Sequence, residues 1–182
     1  MSLRLFAALS LPDDIVERLV ALQRDMPGAN WRPRENLHLT LRFFGEVTEP
    51  IAAEIDTELQ QVAESTAPFS LVLKGAGAFG GADPHALYVG VGESAALRKL
   101  AADCERAARR CGLKPESRKF TPHVTLAYLN NAELARVHRF ESAMGLYQTP
   151  EFAVERFELF SSWTRKSAPS LYRVEADYPL AG

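Results

Sequence analysis

Two histidines and two threonines in this chain share one spacing. His38 and Thr40 lie within "NLHLTLRFF", and His123 and Thr125 lie within "PHVTLAYL". Each motif sits in an apolar run with the alternation of a β-strand, where residues two apart share a face. Leu37, Leu39 and Leu41 then point one way, and His38 and Thr40 the other. Val124 and Leu126 likewise oppose His123 and Thr125. If the two polar fronts converge, two imidazoles and two hydroxyls surround one small volume. That set suits in-line displacement at phosphorus, which needs a base behind the attacking oxygen and an acid behind the leaving one. Imidazole, with an ordinary pKa of about 6.5, can fill either role near neutral pH. Hydroxyl donors can hold the non-bridging oxygens, since a hydrogen bond to a charged group is worth about 1.5–3 kcal/mol.

A lone strand histidine is more often structural than catalytic, but two copies in equivalent places reverse that balance. Metal binding is the rival use. Structural zinc needs four N/S ligands and catalytic zinc usually three. Neither motif has a third ligand at a useful offset, and no C-x-x-C or H-E-x-x-H occurs. No metal and no cofactor are therefore expected. His85 and His138 match no repeated position and read as surface residues. Cys104 and Cys111 are two helical turns, about 10 Å, apart, too far to bridge. With Leu97, Leu100, Ala101 and Ala108 they form an apolar stripe, which argues for packing and a reduced, cytoplasmic setting. No G-x-S-x-G elbow is present.

Stepping outward along the chain, Leu3–Leu9 reads as a strand, and Ser10 as the cap of a helix that contains Pro12 and runs to about Met26. The opening "MSLRLFAALSLPDD" is only superficially like a signal peptide, because it lacks a small-residue cleavage site. Further strands are expected at "NLHLTLRFF", "FSLVLKG", "ALYVGVG", "HVTLAYL", "EFAVERFELF" and "SLYRVEADY". Helices are expected over "TEPIAAEIDTELQQVAE", over 93–111 and over 131–147. The run "GAGAFGG" at 75–81 is the clearest punctuation between two halves. Both halves read strand, helix, His-x-Thr strand, helix, strand. His123 follows His38 by 85 positions and Phe152 follows Phe69 by 83, so the order points to a duplication. The expected fold is α+β in one domain, 1–182. Its two pseudo-symmetric lobes would be antiparallel sheets with helices outside, built from repeats of about 1–74 and 86–162 with exchange of elements between them.

Composition sets outer bounds. The 182 residues are 47% hydrophobic and 24% charged, enough for a core without disulfides. A net charge of −2 excludes a strongly basic, non-specific nucleic-acid binder. Residues 98–119 nonetheless hold eight Lys or Arg against three acids, leading directly into the second motif. No run approaches membrane-spanning length, and a monomer is expected.

Taken together, "RLFAALSLPDD", "RPRENLHLTLRFFGEV" and "RKFTPHVTLAY", in this order, resemble the 2H phosphoesterase superfamily, and most closely its RNA 2′,3′-cyclic phosphodiesterases, historically called 2′-5′ RNA ligases. The resemblance extends over essentially the whole chain. It implies a bilobal fold around a central cleft and metal-independent opening of a 2′,3′-cyclic phosphate at an RNA end, leaving a 2′-phosphate. It further implies one half-site of His38 and Thr40 and another of His123 and Thr125, with His38 protonating the leaving O3′ and His123 activating water. The chain departs from the family where many relatives carry Arg, five residues after the second motif histidine; here that residue is Tyr128. Arg42, expected on the same strand face as His38, and Arg118 and Lys119 beside the second motif, are candidate replacement cations. Trp31, Phe6, Phe43 and Phe79 are candidate stacking surfaces for a base, with Trp31 preferred because it reads as loop. Two other functions remain open: 2′-5′ ligation by the same residues, and an idle RNA-binding module that keeps the cleft.

Overall fold

The opening "LFAAL" is buried without a break from Leu5 to Leu9. Alternate side chains on a strand point to opposite faces, so an unbroken buried run demands cover on both. The computed structural model, which describes residues 1–182, places this strand, β1 (Ser2–Ser10), inside an eight-stranded sheet. The other strands are β2 (Ala29–Trp31), β3 (His38–Thr48), β5 (Leu73–Phe79), β6 (Ala86–Val91), β7 (His123–Leu129), β9 (Arg156–Trp163) and β10 (Leu171–Pro179). Their order is β10-β9-β1-β3-β7-β6-β5, with β2 added alongside β7, and every pairing is antiparallel. The expected α+β class holds.

The sheet has a seam. β1 and β3 pair along nearly their whole length, and β6 and β7 pair over five positions. β3 and β7 meet only at Leu39 opposite Val124. The two halves diverge from that point, and the divergence opens the cleft between the lobes.

The strands that close each half in sequence cross over. β5, from the first half, pairs with β6, while β9, from the second, pairs with β1. At the crossing, β4 (Phe69–Leu71) and β8 (Phe152–Val154) form a two-stranded sheet of their own, with Phe69 opposite Val154 and Leu71 opposite Phe152. "FSLVLKG" and "EFAVERFELF", each expected as one strand, are each divided in two by this crossing.

Four helices cover the back of the sheet: α1 (Asp13–Val20), α2 (Glu49–Glu64), α3 (Ala95–Arg110) and α4 (Leu134–Ala143). α2 packs on β1, β3, β9 and β10, α3 on α2 and β3, and α4 on β5. Apolar residues at helical spacing, Ile55, Leu59 and Val62 on α2 and Leu97, Leu100, Ala101, Cys104 and Ala108 on α3, are all buried. A single core of 41 residues runs behind both halves. Cys104 and Cys111 lie in it as free thiols.

Several boundaries differ from expectation for local reasons. α1 stops at Val20 rather than Met26, ahead of Pro27 and Gly28. Its cap position is Pro12, because the Ser10 hydroxyl is turned to donate to Glu158 (2.9 Å). The glycine-rich run is strand as far as Phe79. Tyr88 lies across Gly77, where a Cβ would come within 2.4 Å of its hydroxyl, so the glycine is a packing requirement rather than a break. No helix is long and apolar enough to cross a membrane.

Leu39 and Val124 are fully buried at the seam. Leu39→Ala should cost about 2–5 kcal/mol, as core truncations do, measured by urea unfolding. A loss below about 1 kcal/mol would mean the seam contributes little to holding the halves together.

Candidate active site

The register at the seam assembles the four motif residues. With Leu39 opposite Val124, one step in either direction along antiparallel strands puts His38 beside Thr125 and Thr40 beside His123. Leu39 and Val124 face the core, so these four face the front. Each histidine therefore stands next to the threonine of the other strand. All four are half-buried, and neither threonine hydroxyl is engaged by a hydrogen bond within the protein.

Each imidazole rests on aromatic rings from its own half of the sheet. His38 stacks on Phe6 of β1 (4.9 Å between centroids) and meets the edge of Tyr172 of β10 (5.2 Å), with Phe160 of β9 behind. His123 meets Phe79 of β5 (4.9 Å) and Tyr88 of β6 (5.5 Å) edge-on. Phe79 and Tyr88 stack on each other at 4.4 Å. Phe6, Ala8 and Phe160 form a small apolar cluster on the front, separate from the main core. These rings set where the imidazoles can sit.

The carbonyl two residues before each histidine fixes its ring further. His123 Nδ1 lies 2.7 Å from the Thr121 carbonyl oxygen. A carbonyl can only accept, so Nδ1 carries the proton, and in the neutral ring Nε2 keeps its lone pair. The Asn36 carbonyl plays the same part for His38. Burial pushes the His38 pKa from 6.5 down to about 4; the Asn36 carbonyl opposes this, and the charges of Arg32 and His123 add to it. His38 is thus neutral in the free protein at pH 7, and its ring feels both the second histidine and Arg32.

A matched irregularity follows each motif. β3 bulges at Leu41, where Ala8 pairs with Thr40 and Ala7 with Arg42. β7 bulges at Leu126, where Tyr88 pairs with Thr125 and Leu87 with Ala127. Both bulges come three residues after the histidine, and each shifts the alternation by one. This corrects the expectation for Arg42, which lies opposite the core-facing Ala7 and turns to the helix side. There it pairs with Glu105 of α3 and donates to the Lys114 carbonyl (2.8 Å), so it does not face the cleft. The fifth residue after each histidine comes to the front instead. Phe43 and Tyr128 are exposed there, each with an arginine over its ring: Arg4 at 5.2 Å and Arg32 at 4.9 Å.

Trp31 is also displaced from its expected place. It belongs to β2, opposite the core-facing Ala127, donates to the Arg24 carbonyl (2.9 Å) and packs toward Phe140 of α4 (6.1 Å). Its contacts run toward the helices, and no motif histidine is among its ring partners. Arg118 and Lys119 are exposed on the segment before β7. Arg118 is paired with Glu116, the Lys119 charge is felt at Glu93, and neither is hydrogen-bonded to a motif residue. His85 and His138 are exposed. No group of three or more His, Cys, Asp or Glu is placed to hold a metal ion.

Several neighbours escape a reading of the sequence. Tyr88, Phe160 and Tyr172 occupy ordinary strand positions that nothing marks as front-facing beside a histidine. Arg32 is the more consequential omission. It follows a three-residue strand too short to recognise, and it is buried, with 6% of its surface exposed.

A sequence profile described as the 2′-5′ RNA ligase superfamily matches residues 11–164, most of the chain. The chain belongs to this superfamily. Among its members, the chain is 38% identical over 148 residues to an RNA 2′,3′-cyclic phosphodiesterase of Aeropyrum pernix, covering 78% of this chain and 83% of that one. It is 32% identical over 158 residues to the RNA 2′,3′-cyclic phosphodiesterase of Aquifex aeolicus, with 84% and 82% covered. Escherichia coli LigT, in a crystal structure complexed with 3′-AMP, superposes with a TM-score of 0.81 at 25% identity, each chain covered in full. The TT0787 protein of Thermus thermophilus gives 0.81 at 26%, with 98% of each chain covered. The two-lobed arrangement of this chain is that of the superfamily.

The His38 environment has a thermodynamic consequence. Its pKa is about 6.5 in the unfolded chain and about 4 in the fold. Between those values the unfolded chain binds more protons. The stabilisation is therefore fully present above pH 6.5 and is lost as pH falls toward 4. The loss should reach about 3 kcal/mol at roughly 1.4 kcal/mol per pKa unit. In His38→Asn, the difference in unfolding free energy between pH 7.5 and pH 4 should shrink by that order. An unchanged difference would mean the ring is not held neutral by burial.

Proposed function

We propose that this protein hydrolyses the 2′,3′-cyclic phosphate at an RNA end to a 2′-phosphate, without a metal ion. The observation that carries this reading is the seam register, with two histidines and two threonines alternating around one point between β3 and β7. The names of the Aeropyrum and Aquifex relatives support it. A 2′,3′-cyclic phosphate requires the 2′-hydroxyl that DNA lacks, so the substrate is RNA.

In this mechanism water approaches phosphorus opposite O3′. His123 Nε2 removes the proton of the water while its Nδ1–H, held by the Thr121 carbonyl, stabilises the growing imidazolium. As the new P–O bond forms, the P–O3′ bond breaks and His38 gives a proton to O3′. The 2′-oxygen keeps the phosphate. His38 is neutral in the free protein, and the negative charge of the bound cyclic phosphate favours its protonation, coupling proton uptake to substrate binding. The Thr40 and Thr125 hydroxyls donate to the non-bridging oxygens as charge grows there. The exposed rings of Phe43 and Tyr128 offer stacking surfaces for the terminal base. On this reading residues 1–182 act as one domain whose repeats, about 1–74 and 86–162, each supply one His-x-Thr.

The superfamily's description also favours a second reading, 2′-5′ ligation, in which an RNA 5′-hydroxyl takes the place of water. An idle binding module is disfavoured, because binding alone has no use for two opposed titrating groups.

In a chelator-containing assay with RNA ending in a cyclic phosphate, His38→Ala and His123→Ala should each lower kcat/KM by about 10²–10⁴. Thr40→Ala and Thr125→Ala should lose about 10–100-fold. Near-normal rates in either histidine variant would refute the two-histidine mechanism. The division of roles has its own test. A substrate with sulfur at the bridging 3′ position has a leaving group that needs no protonation. It should restore most of the rate to His38→Ala and little to His123→Ala. The opposite pattern would exchange the two roles.

A further inference from the structure

Arg32 is the only charged residue of this protein in the buried class. Buried charges are normally paired, because removing an ion from water is costly unless a counter-charge compensates. Nine ion pairs form in the protein and Arg32 is in none of them. Its guanidinium has only the Tyr172 hydroxyl as a hydrogen-bonding neighbour, and none of its nitrogens is both enclosed and unsatisfied. They therefore open onto the cleft.

The backbone is firmly held. Arg32 N–H donates to the Leu126 carbonyl (2.8 Å), the Gln23 amide donates to the Arg32 carbonyl (3.0 Å), and Pro33 follows. Trp31 faces the helices, so Arg32, the next residue, faces front. Its guanidinium lies 4.9 Å over the Tyr128 ring, and the Tyr172 hydroxyl, beside His38, is its polar neighbour. A planar fork of donors is thus poised beside the motif residues with its charge unanswered.

Resting on the phosphodiester reading above, we infer that Arg32 is the phosphate-binding cation of this site, delivered from β2 and held in place by Tyr128 and Tyr172. The ligand it awaits is a phosphate oxygen, and the fork suits two such oxygens at once. Tyr128 therefore contributes without a charge of its own: its ring is the surface over which the arginine sits. The positive charge comes from the residue just after β2 rather than from β7, whose front the tyrosine occupies.

The test uses the full chain and two probes, inorganic phosphate and adenosine 2′-monophosphate, titrated by calorimetry, alongside hydrolysis of RNA ending in a cyclic phosphate. Arg32→Met should weaken both anions and raise KM about 10–100-fold, the loss of a charged hydrogen bond. Its thermal midpoint without ligand should be unchanged or higher, since no ion pair is lost with the guanidinium. A purely structural arginine predicts the reverse: a lower midpoint with unchanged anion affinity, and that result overturns the proposal. Arg32→Met/Tyr128→Arg should regain much of the lost affinity by returning a cation to the same front. Should Arg32→Met fail to fold, Arg32→Lys decides, because it keeps the charge but not the fork. It should bind both anions at least about threefold more weakly, and unaltered binding overturns the proposal. If the wild type binds phosphate through Arg32 but leaves the RNA intact, the proposed reaction fails and the assignment of Arg32 stands. If it hydrolyses the RNA and Arg32→Met does so equally well, only Arg32 falls.

Discussion

The site depends on a single backbone contact, Leu39 of β3 against Val124 of β7. Strands paired at length would leave no room between them for a substrate, and strands not paired at all would leave the relative height of the two motifs undefined. One pair of buried residues fixes the register and then lets the strands part. Because side chains alternate, a slip of one residue at this point would turn one strand over relative to the other, sending its imidazole into the core and its apolar face to the front. The Leu and Val on the core side of the motifs hold that register as firmly as the polar residues exploit it.

Around this point the two halves repeat each other in detail and differ where a reaction would need them to. Each histidine has a carbonyl two residues back, a bulge three residues ahead, and an aromatic ring with an arginine over it five residues ahead. The difference lies in the surroundings. His38 is flanked by Phe6, Phe160 and Tyr172 with Arg32 nearby, which keeps it uncharged. Arg32 is buried at its ring, whereas its counterpart Arg4 is exposed. Nearly equivalent backbones thus place two imidazoles in unequal surroundings, with His38 held neutral by its burial.

Much of this could be read from the chain. Alternation placed Leu39 and Val124 behind the motifs and the His-x-Thr pairs in front. Helical spacing identified the buried stripes of α2 and α3, and the cysteines joined them as expected. Alternation failed at Leu41, since a bulge is a property of two paired strands and not of one. Arg42 shares odd-even parity with His38 and Thr40, yet turns to Glu105. Trp31 was displaced from its expected loop, and Arg32 escaped notice, for a related reason. β2 gains its identity from lying on β7, and three residues carry no periodicity to detect. The splitting of two expected strands has the same origin, as it arises where β4 meets β8.

That crossing also bears on how the molecule comes to exist at all. Since β5 completes the sheet of the later half and β9 that of the earlier, neither half could leave its neighbour without exposing a raw strand edge and an uncovered apolar face. The interlocked path makes most sheet contacts distant in sequence, an arrangement that slows folding and commits the nascent chain to waiting until β9 has been synthesised before β1 is flanked on both sides. The sharing that brings the two motifs together also means that neither half carries every strand needed to complete its own sheet.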